Sequence, residues 1–539
     1  MNIKQLVQTI DDLFNKRSSL MLRWQEIGEN FYPERAEFTV RRDVGDVFAE
    51  NLSTSYPIMC RRNLGDQIGT MLRNTAKDWF HIVPDDTGRE DHDAKAWLEW
   101  ATGIQRRAMY DRSSLFSRAT KEADHDFAAF GQAVVSIRLN RERNGLLFRT
   151  WHLRDVVWME NEEGKICLVA RKWKPYAKDL KRLFGAKNHA QIDTISSKEP
   201  FREINCYHIV VEAELYDDDA KGKPYWSIYY DKEHDHVLEA VAVWNKEYII
   251  PRWQTVSGSQ YAFSPATIVA LPDARLIQAM TYTLLEAGEM AVRPPLIATK
   301  DVVKSDVGLY AGGITWIDQD YDERLGSALR PIEQDLRGIP IGLDMQQDAR
   351  AMLMEAFYLN KLTLPERSPD MTAYEVGQRI QEYIRGAMPI FEPMEHDYNG
   401  QMCELVFDIM LRNGAFGSPY DMPKSLRGAN VQFKFNSPLH DAIEQQKGQK
   451  FLEMKGVIAE AVAMDQSVAN IPDMKITVRD VLQGIQVPTK WLRSEADVDE
   501  MEAEQQQQLS TAQTLAALES GSKSAANLGK AEKEFSQAQ

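Results

Sequence analysis

Residues 272–293 read PDARLIQAMTYTLLEAGEMAVR. Pro272-Asp273 opens a helix, and Arg293-Pro294-Pro295 stops it, since proline cannot continue the ladder. Leu276, Met280, Leu284 and Ala287 fall on one face at helical spacing. A second helix is expected from about Pro340 to Asn360, with Leu343, Ala351, Met354 and Tyr358 as its apolar face. Each helix is roughly 20 residues, hence about 30 Å long. Between them lies an insert of about forty residues: a strand at Leu296-Ile297-Ala298, a Gly312-Gly313 turn, and a second strand around Ile314-Thr315-Trp316-Ile317. Directly after the second helix, Leu362 to Met371 holds Pro365 and Pro369 and reads as a loop. A long helix from Thr372 to about Asn413 follows, with a kink or break expected at Pro389 and Pro393. Spacing alone allows the two apolar stripes to be an ordinary core or an interface between copies.

Outward from this centre, the N-terminal third is helical. Residues 3–31 read as one amphipathic helix through Leu6, Ile10, Leu13, Leu20, Trp24 and Ile27, with Arg17 the one break in the stripe. Residues 51–77 and 91–131 read as two more helices. From about 132 to 255, short runs rich in Val, Ile, Tyr and Trp alternate with turn residues. This is an antiparallel β portion, interrupted by a helix near 176–184. Asn161-Glu162-Glu163-Gly164 is a turn between two of its strands. Residues 441–466 and 476–484 are expected to be helical. The Gln/Ser/Ala/Gly-rich end is either a solvated helix or disordered. The fold class is α+β, mainly helical.

The chain has 539 residues and a formal net charge of -16. Proteins that grip duplex DNA show a basic footprint, because neutralised phosphates supply the affinity. The acidic balance argues against a sequence reader or a static clamp. It is compatible with a channel wall that repels phosphate, and equally with acidity serving only solubility. No run of eighteen apolar residues exists, so no membrane-spanning helix is expected. Nor does a secretory leader pattern open the chain, so synthesis in a cytoplasm is expected. Cys60, Cys167, Cys206 and Cys403 are too dispersed for a zinc ribbon or a disulfide framework, and four reduced, mostly buried thiols are expected.

No catalytic residues, metal or cofactor are expected. The chain lacks the P-loop, G-x-S-x-G, H-E-x-x-H and zinc-deaminase patterns. Asp124-His125-Asp126 could tempt a metal reading, yet neighbours on a helix point about 100° apart. His234-Asp235-His236 falls where a hairpin should turn. Asp85-Asp86 with Glu90, Asp91 and Asp93 reads as a solvated acidic loop.

Four segments carry a family resemblance. Leu64 to Ile82 ends in Lys77-Asp78-Trp79-Phe80, similar to a helix followed by an aromatic W-F pair. Glu163-Gly164-Lys165 through Arg171-Lys172-Trp173, then Leu183-Phe184-Gly185, is similar to a strand-turn-strand with a trailing F-G. Pro251-Arg252-Trp253, Tyr261 to Ala266 and Leu271-Pro272-Asp273 are similar to P-R-W…Y-G-x-G-P-A…L-P-D, with Ala262 and Ser264 where glycines are usual. Arg367 to Val376 is similar to an M-T-A-x-E-V signature opening a long helix. In this order they resemble the portal, or head-to-tail connector, proteins of short-tailed, podovirus-type bacteriophages.

The resemblance implies a non-enzymatic subunit of a twelve-membered ring. Residues 1–271 would form the wing, 272–293 and 339–360 the two stem helices, and 294–338 the clip. The tunnel loop would be 361–371, the returning part of the wing 372–436, the crown 437–500, and the C-terminal tail 501–539. The stem stripes would then face neighbouring copies through Leu276, Met280, Leu284, Leu343, Met354 and Tyr358. Lys361, Glu366, Arg367 and Asp370 would lie near passing DNA. Lys300, Lys304, Arg324 and Arg330 in the clip would dock partners. Those partners are terminase during packaging and then a tail adaptor, with major capsid, scaffolding and internal core proteins nearby. Double-stranded DNA would pass without sequence recognition. The chain would reside at the portal vertex of the virion, and in host cytoplasm during assembly. The competing readings are another structural virion protein, such as a tail adaptor or internal core protein, and a metal-dependent nuclease using Asp124.

Overall fold

The computed structural model describes residues 2–43, 45–46, 52–75, 78–85, 91–217, 220–298, 316, 324, 329–332, 338–362, 379, 382, 385–386, 389–418, 420–436, 451, 454–459, 474–484, 487, 491–493, 497–508 and 510–511. It divides into two compact units, one of residues 1–79 and 105–413, the other of 80–104 and 414–539.

In the first unit, helices α1 (Ile3–Lys16) and α2 (Ser18–Phe31) replace the single helix expected over 3–31. The break falls at Arg17, which is buried at 4% exposure. Its guanidinium donates to the carbonyls of Leu153 (2.8 Å), Val156 (2.6 Å) and Arg154. A long-range demand for a buried cation thus overrides the helical stripe. Helix α3 (Tyr56–Leu72) lies within the expected 51–77. In the second unit, β1 (Phe80–Pro84) pairs with a strand some 350 residues later in the chain.

The expected helix 91–131 is two, α4 (His92–Met109) and α5 (Phe116–Phe130). Asp111 accepts from Ser113 N and turns the chain between them, and Leu115 adopts a left-handed φ of 57°. α3 and α5 cross closely. On α3, Arg61, Gly65, Gly69 and Arg73 recur every fourth residue, so all four share one face. A Cβ at Gly69 would lie 2.8 Å from Asp124 Oδ2, and one at Gly65 would collide with His125 Nδ1. The two glycines let the charged triplet of α5 sink against α3.

The β portion is antiparallel, as the alternation demands. β2 (Val134–Leu139) pairs with β3 (Leu146–Trp151) and, further along, with the short β9 (Tyr248–Ile249). A five-stranded sheet runs in the order β4 (Val156–Glu160), β5 (Ile166–Trp173), β6 (Cys206–Glu212), β7 (Tyr225–Asp231), β8 (His236–Val243). The Asn161–Gly164 turn joins β4 to β5, and the histidine segment 234–236 joins β7 to β8, as the sequence indicates. One face packs against α1 through Leu6, Val7 and Ile10 on Val157, Leu168, Ala170, Ile209 and Ile228. The other carries α6 (Ala177–Phe184) and α7 (Ala190–Lys198), which bury Leu180 and Ile192 against Cys206 and Leu238. A short α8 (Ala213–Tyr216) follows β6, and β10 (Gln254–Thr255) pairs with β11 (Ala262–Phe263).

Helix α9 runs Pro265–Val292, starting seven residues before the expected Pro272. The true start combines Ser264, whose side chain caps Thr267 N, with Pro265 in the first turn. Pro272 is a second proline inside the same helix. Strand β12 (Leu296–Ala298) pairs antiparallel with β13 (Leu329–Pro331), then come α10 (Gly338–Ala356) and α11 (Leu359–Leu362). The expected strand at 314–317 and loop at 362–371 lie, but for Trp316 and Leu362, outside the described residues. Of the expected long helix, residues 379, 382, 385–386 and 389–394 are helical, and Pro393 is followed by a π-helical turn over Glu395–Gly400. It closes with α12 (Gln401–Arg412).

In the second unit, β14 (Val431–Phe435) is the partner of β1, Phe80 facing Phe435. Trp97, Trp100 and Phe416 cluster at ring separations of 6.0–6.5 Å. Helix α13 (Met474–Gly484) matches the expected 476–484 within two residues, and most of 441–466 lies outside the described residues. All four cysteines are buried and unpaired. Among the described residues, no helix is long and apolar enough to cross a membrane.

Candidate functional site

The charged triplet of α5 resolves into three separate partnerships. Asp124 pairs with Arg73, which also donates to Asn399 Oδ1 at 2.9 Å and lies over the Tyr398 ring. Burial alone would lower the Arg73 pKa, and the adjoining Asp124 carboxylate holds it above its ordinary value. Asp126 takes a two-pronged hydrogen bond from Arg35 at 2.9 and 2.6 Å. His125 lies 3.1 Å from Arg61, and burial, then that cation, pushes its pKa down to about 4. These side chains diverge and tie α3, α5 and the π-turn together. In the β7–β8 turn, His234 bonds Asp231 at 2.6 Å and His236 the Lys187 carbonyl at 2.9 Å. Among the described residues, no three metal-capable side chains converge.

The unusual feature is the helix pair α9/α10. At its base it is built into the subunit. Ser264 Oγ and Thr267 Oγ1 donate to the carbonyls of Ala128 and Ala129 at 2.7 and 2.8 Å. Gln278 Oε1 accepts from Ser53 N and Thr54 N, and its amide returns a bond to Thr54 O. The two helices meet through Gln346, which donates to Thr281 Oγ1 at 2.8 Å, and through Leu284, whose Cδ2 occupies the space beside Gly342. Ala270, Ala274 and Ile277 are buried on α9, and Gln346, Ala349 and Leu353 on α10. After Ile277 no residue of α9 is buried, and before Gln346 none of α10 is. Among the described residues, the buried positions of both helices thus lie at the base, and the distal halves lead into the β12–β13 ribbon.

That distal pair is apolar on the outside. Tyr282 and Leu285 are each 57% exposed, Val292 81%, Ile341 62% and Met345 53%. An isolated two-helix hairpin cannot bury such a surface, and a soluble monomer rarely presents one. The charges interspersed are mostly acidic: Glu286, Glu289 and Asp344 against Arg293.

Of the six stem residues expected to face neighbours, Leu276 and Leu343 are exposed, and Met280, Leu284 and Met354 are half-buried. Leu284 points at Gly342 of its own chain. Tyr358 sits beyond α10 in a turn with φ of 57°, its ring 6.3 Å from Trp253. It is off the helix on which the stripe placed it, because α10 stops at Ala356. Lys361 is exposed, 5.9 Å from the Tyr358 ring. Arg324 and Arg330 are exposed, with Arg330 in β13 opposite Ile297. Lys300, Lys304, Glu366, Arg367 and Asp370 lie outside the described residues. The stripe reading missed Leu285, Tyr282 and Ile341, which carry the exposed surface. The clue was present in Gly342, a helical glycine beside which the facing helix can set a leucine.

A family described as bacteriophage head to tail connecting protein matches residues 3–492. A probable portal protein of Bordetella phage BPP-1 is 22% identical over 456 residues, covering 81% of this chain and 79% of the relative. The portal protein of Salmonella phage epsilon15 is 20% identical over 462 residues, with the same coverages of 81% and 79%. A chain of the virion of a native gene transfer agent particle aligns over 75% of this chain and 86% of its own, at 8% identity and a TM-score of 0.35.

Proposed function

Since the chain belongs to the bacteriophage head-to-tail connecting family and is a portal protein of the capsid vertex, we propose that copies of it close into a twelve-membered ring whose inner wall is built from α9 and α10. The observation that carries this reading is the projecting helix pair with its outer apolar surface. A heterologous contact repeated until it meets itself buries that surface on every copy and leaves a hollow axis. Glu286, Glu289, Asp344 and Asp348 would give the wall a sign that keeps phosphate from sticking.

In this reading residues 1–271 and 372–436 form the wing, 272–293 and 339–360 the stem, and 294–338 the clip. Residues 361–371 form the tunnel loop, 437–500 the crown and 501–539 the tail. The clip, with Lys300, Lys304, Arg324 and Arg330, meets terminase during packaging and the tail adaptor afterwards. Lys361, Glu366, Arg367 and Asp370 come near the DNA. Capsid, scaffolding and internal core proteins contact the ring from the head side, and assembly takes place in the host cytoplasm. The role is structural, without catalysis.

The test is head assembly with and without the chain. With it, heads carry one twelve-fold vertex and fill with DNA. Heads that fill normally in its absence would overturn the reading.

A further inference from the structure

The β2–β3 hairpin reads VVSIRLNRERNGLLFRTW over 134–151: four arginines, no lysine and one carboxylate, Glu142. In a chain of net charge -16 this is a local reversal of sign. Ser136 pairs with Arg149 and Arg138 with Leu147, so Arg138 and Arg149 are diagonal neighbours on one face. The other face is fixed to α5, where Thr150 Oγ1 donates to Ala119 O at 2.6 Å and Phe148 meets Phe116 at a ring separation of 5.0 Å. The hairpin turn lies against the turn between α4 and α5: a Cβ at Gly145 would sit 3.5 Å from Ser113 Oγ. That contact brings the exposed Arg112 to the end of the hairpin that carries the exposed Arg141 and Arg143.

These guanidiniums go unanswered within the subunit. Among the described residues, none of Arg112, Arg138, Arg141, Arg143 and Arg149 forms an ion pair. The nearby carboxylates are engaged elsewhere: Glu142 accepts from Asn144 Nδ2 at 3.0 Å, Glu122 pairs with Arg118, and Asp111 holds Ser113 N at 2.8 Å. Trp151, its indole N–H donated to Ser136 Oγ at 2.8 Å, carries Arg149 at 4.6 Å and Arg171 of β5 at 3.7 Å from its ring centre. Arg171 is 4% exposed, donates Nε to Tyr248 Oη at 3.0 Å and has no ion pair, so it adds a fixed positive charge beside Arg149. Glu247 faces Arg138 and Arg171 from beyond ion-pair distance, one carboxylate against two cations. Burial, then the charges of Arg171 and Arg138, push the Arg149 pKa below its ordinary value.

We propose that this corner of the subunit binds the phosphate backbone of duplex DNA, without reading sequence, through Arg112, Arg138, Arg141, Arg143 and Arg149. The inference rests on the capsid-vertex reading for the presence of duplex DNA, while the surface itself lies within one copy and apart from α9, α10 and Lys361. Two features select phosphate. The cations of the hairpin are all guanidiniums, whose planar fork matches an oxyanion. The surroundings also lack the apolar anchors of a protein interface: Ser113, Glu142 and Asn144 are exposed beside the arginines, and one apolar neighbour, Leu115, is 43% exposed. A polar, cationic surface of this kind fits a nucleic-acid backbone.

Fluorescence anisotropy of a labelled, mixed-sequence duplex, titrated with the full-length chain across a salt series, tests this. Dispersed subunits and rings both bind, and log affinity falls linearly with log salt. Each lost phosphate contact lowers that slope by about 0.9, so the triple variant Arg141→Gln/Arg143→Gln/Arg149→Gln lowers it by about 2–3 and weakens binding at low salt by about 10-fold or more. Lysine at the same three positions keeps the slope, because counterion release counts charges. Both variants melt as the wild type does. An unaltered slope in the glutamine variant overturns the proposal. So does polyglutamate that displaces the duplex as well as unlabelled DNA does, which would mark a surface for acidic proteins. Rings that form without affinity for the duplex overturn this inference and leave the ring reading intact. Subunits that bind the duplex through these arginines yet never close into rings support the inference and remove the ring reading.

Discussion

Leu285→Asp should abolish assembly and spare the subunit. Leu285 lies on the distal half of α9 and is 57% exposed in the single chain. Burying a leucine completely is worth about 1.5–3 kcal/mol, so covering its exposed part against a neighbour contributes about 1–2 kcal/mol. An aspartate in its place would be desolvated without a partner, at about 2 kcal/mol or more. Together each contact loses about 3–4 kcal/mol, or roughly 100- to 1000-fold in association. Every subunit of a ring makes the contact twice, so the deficit compounds. Within the monomer the cost is only a helix-propensity difference of about 0.5 kcal/mol. Leu284→Asp is the informative contrast, because its side chain fills the space beside Gly342 of the same chain. That variant should lower the melting temperature of dispersed subunits. Native mass spectrometry across a concentration series, with far-ultraviolet circular dichroism of the subunits, measures both. Rings of Leu285→Asp at wild-type concentration, or unaltered melting of Leu284→Asp subunits, would refute the assignment of inner and outer faces.

Removing one member of the buried Arg73–Asp124 pair, for example by Arg73→Leu, should cost about 3–5 kcal/mol in unfolding experiments, since a carboxylate would stay buried alone. Gly65→Ala should destabilise by about 1–3 kcal/mol against His125, whereas Gly288→Ala, with open space around it, should stabilise dispersed subunits by up to about 1 kcal/mol. Acid should loosen the first unit through its buried histidines. Burial, aided by neighbouring arginines, holds His152 down at about 3 and His208 well below its ordinary value. Below pH about 6.5 the unfolded chain therefore takes up protons that the native rings refuse. Each ring then removes about 1.4 kcal/mol per pH unit as pH falls, for His152 down to about pH 3, and restores it as pH rises. Denaturant midpoints at pH 7, 6 and 5 would show the slope, and a flat profile would contradict it. Deleting residues 364–370 should leave ring closure intact and lower the yield of DNA-filled heads.

Much of the fold was legible in the residue pattern. The β portion announced itself by alternation, and the end of the first long helix by the prolines at 294–295. What failed were boundaries set by contacts distant in sequence. Arg17 breaks a regular amphipathic stripe because three carbonyls 136–139 residues away need a donor. Pro272 looked like a helix start, although the cap that begins the helix, Ser264, is tied to Ala128. In the candidate site, periodicity placed apolar residues on both helices and could not tell the inward side from the outward one. Leucines at 284 and 285 are chemically identical, and only Gly342 on the facing helix distinguishes them. The Asp124-His125-Asp126 triplet was correctly read as divergent, yet its arginine partners at 35, 61 and 73 could not be assigned without the crossing of α3 and α5.

Electron microscopy of the purified, full-length chain asks the decisive question of whether α9 and α10 line a hole. Averaged end-on views should show a single particle type with twelve-fold symmetry and a central opening wide enough for duplex DNA, bounded by paired helices. Particles that stay monomeric at every concentration, or that assemble with those helices packed outward and no axial opening, would contradict the account.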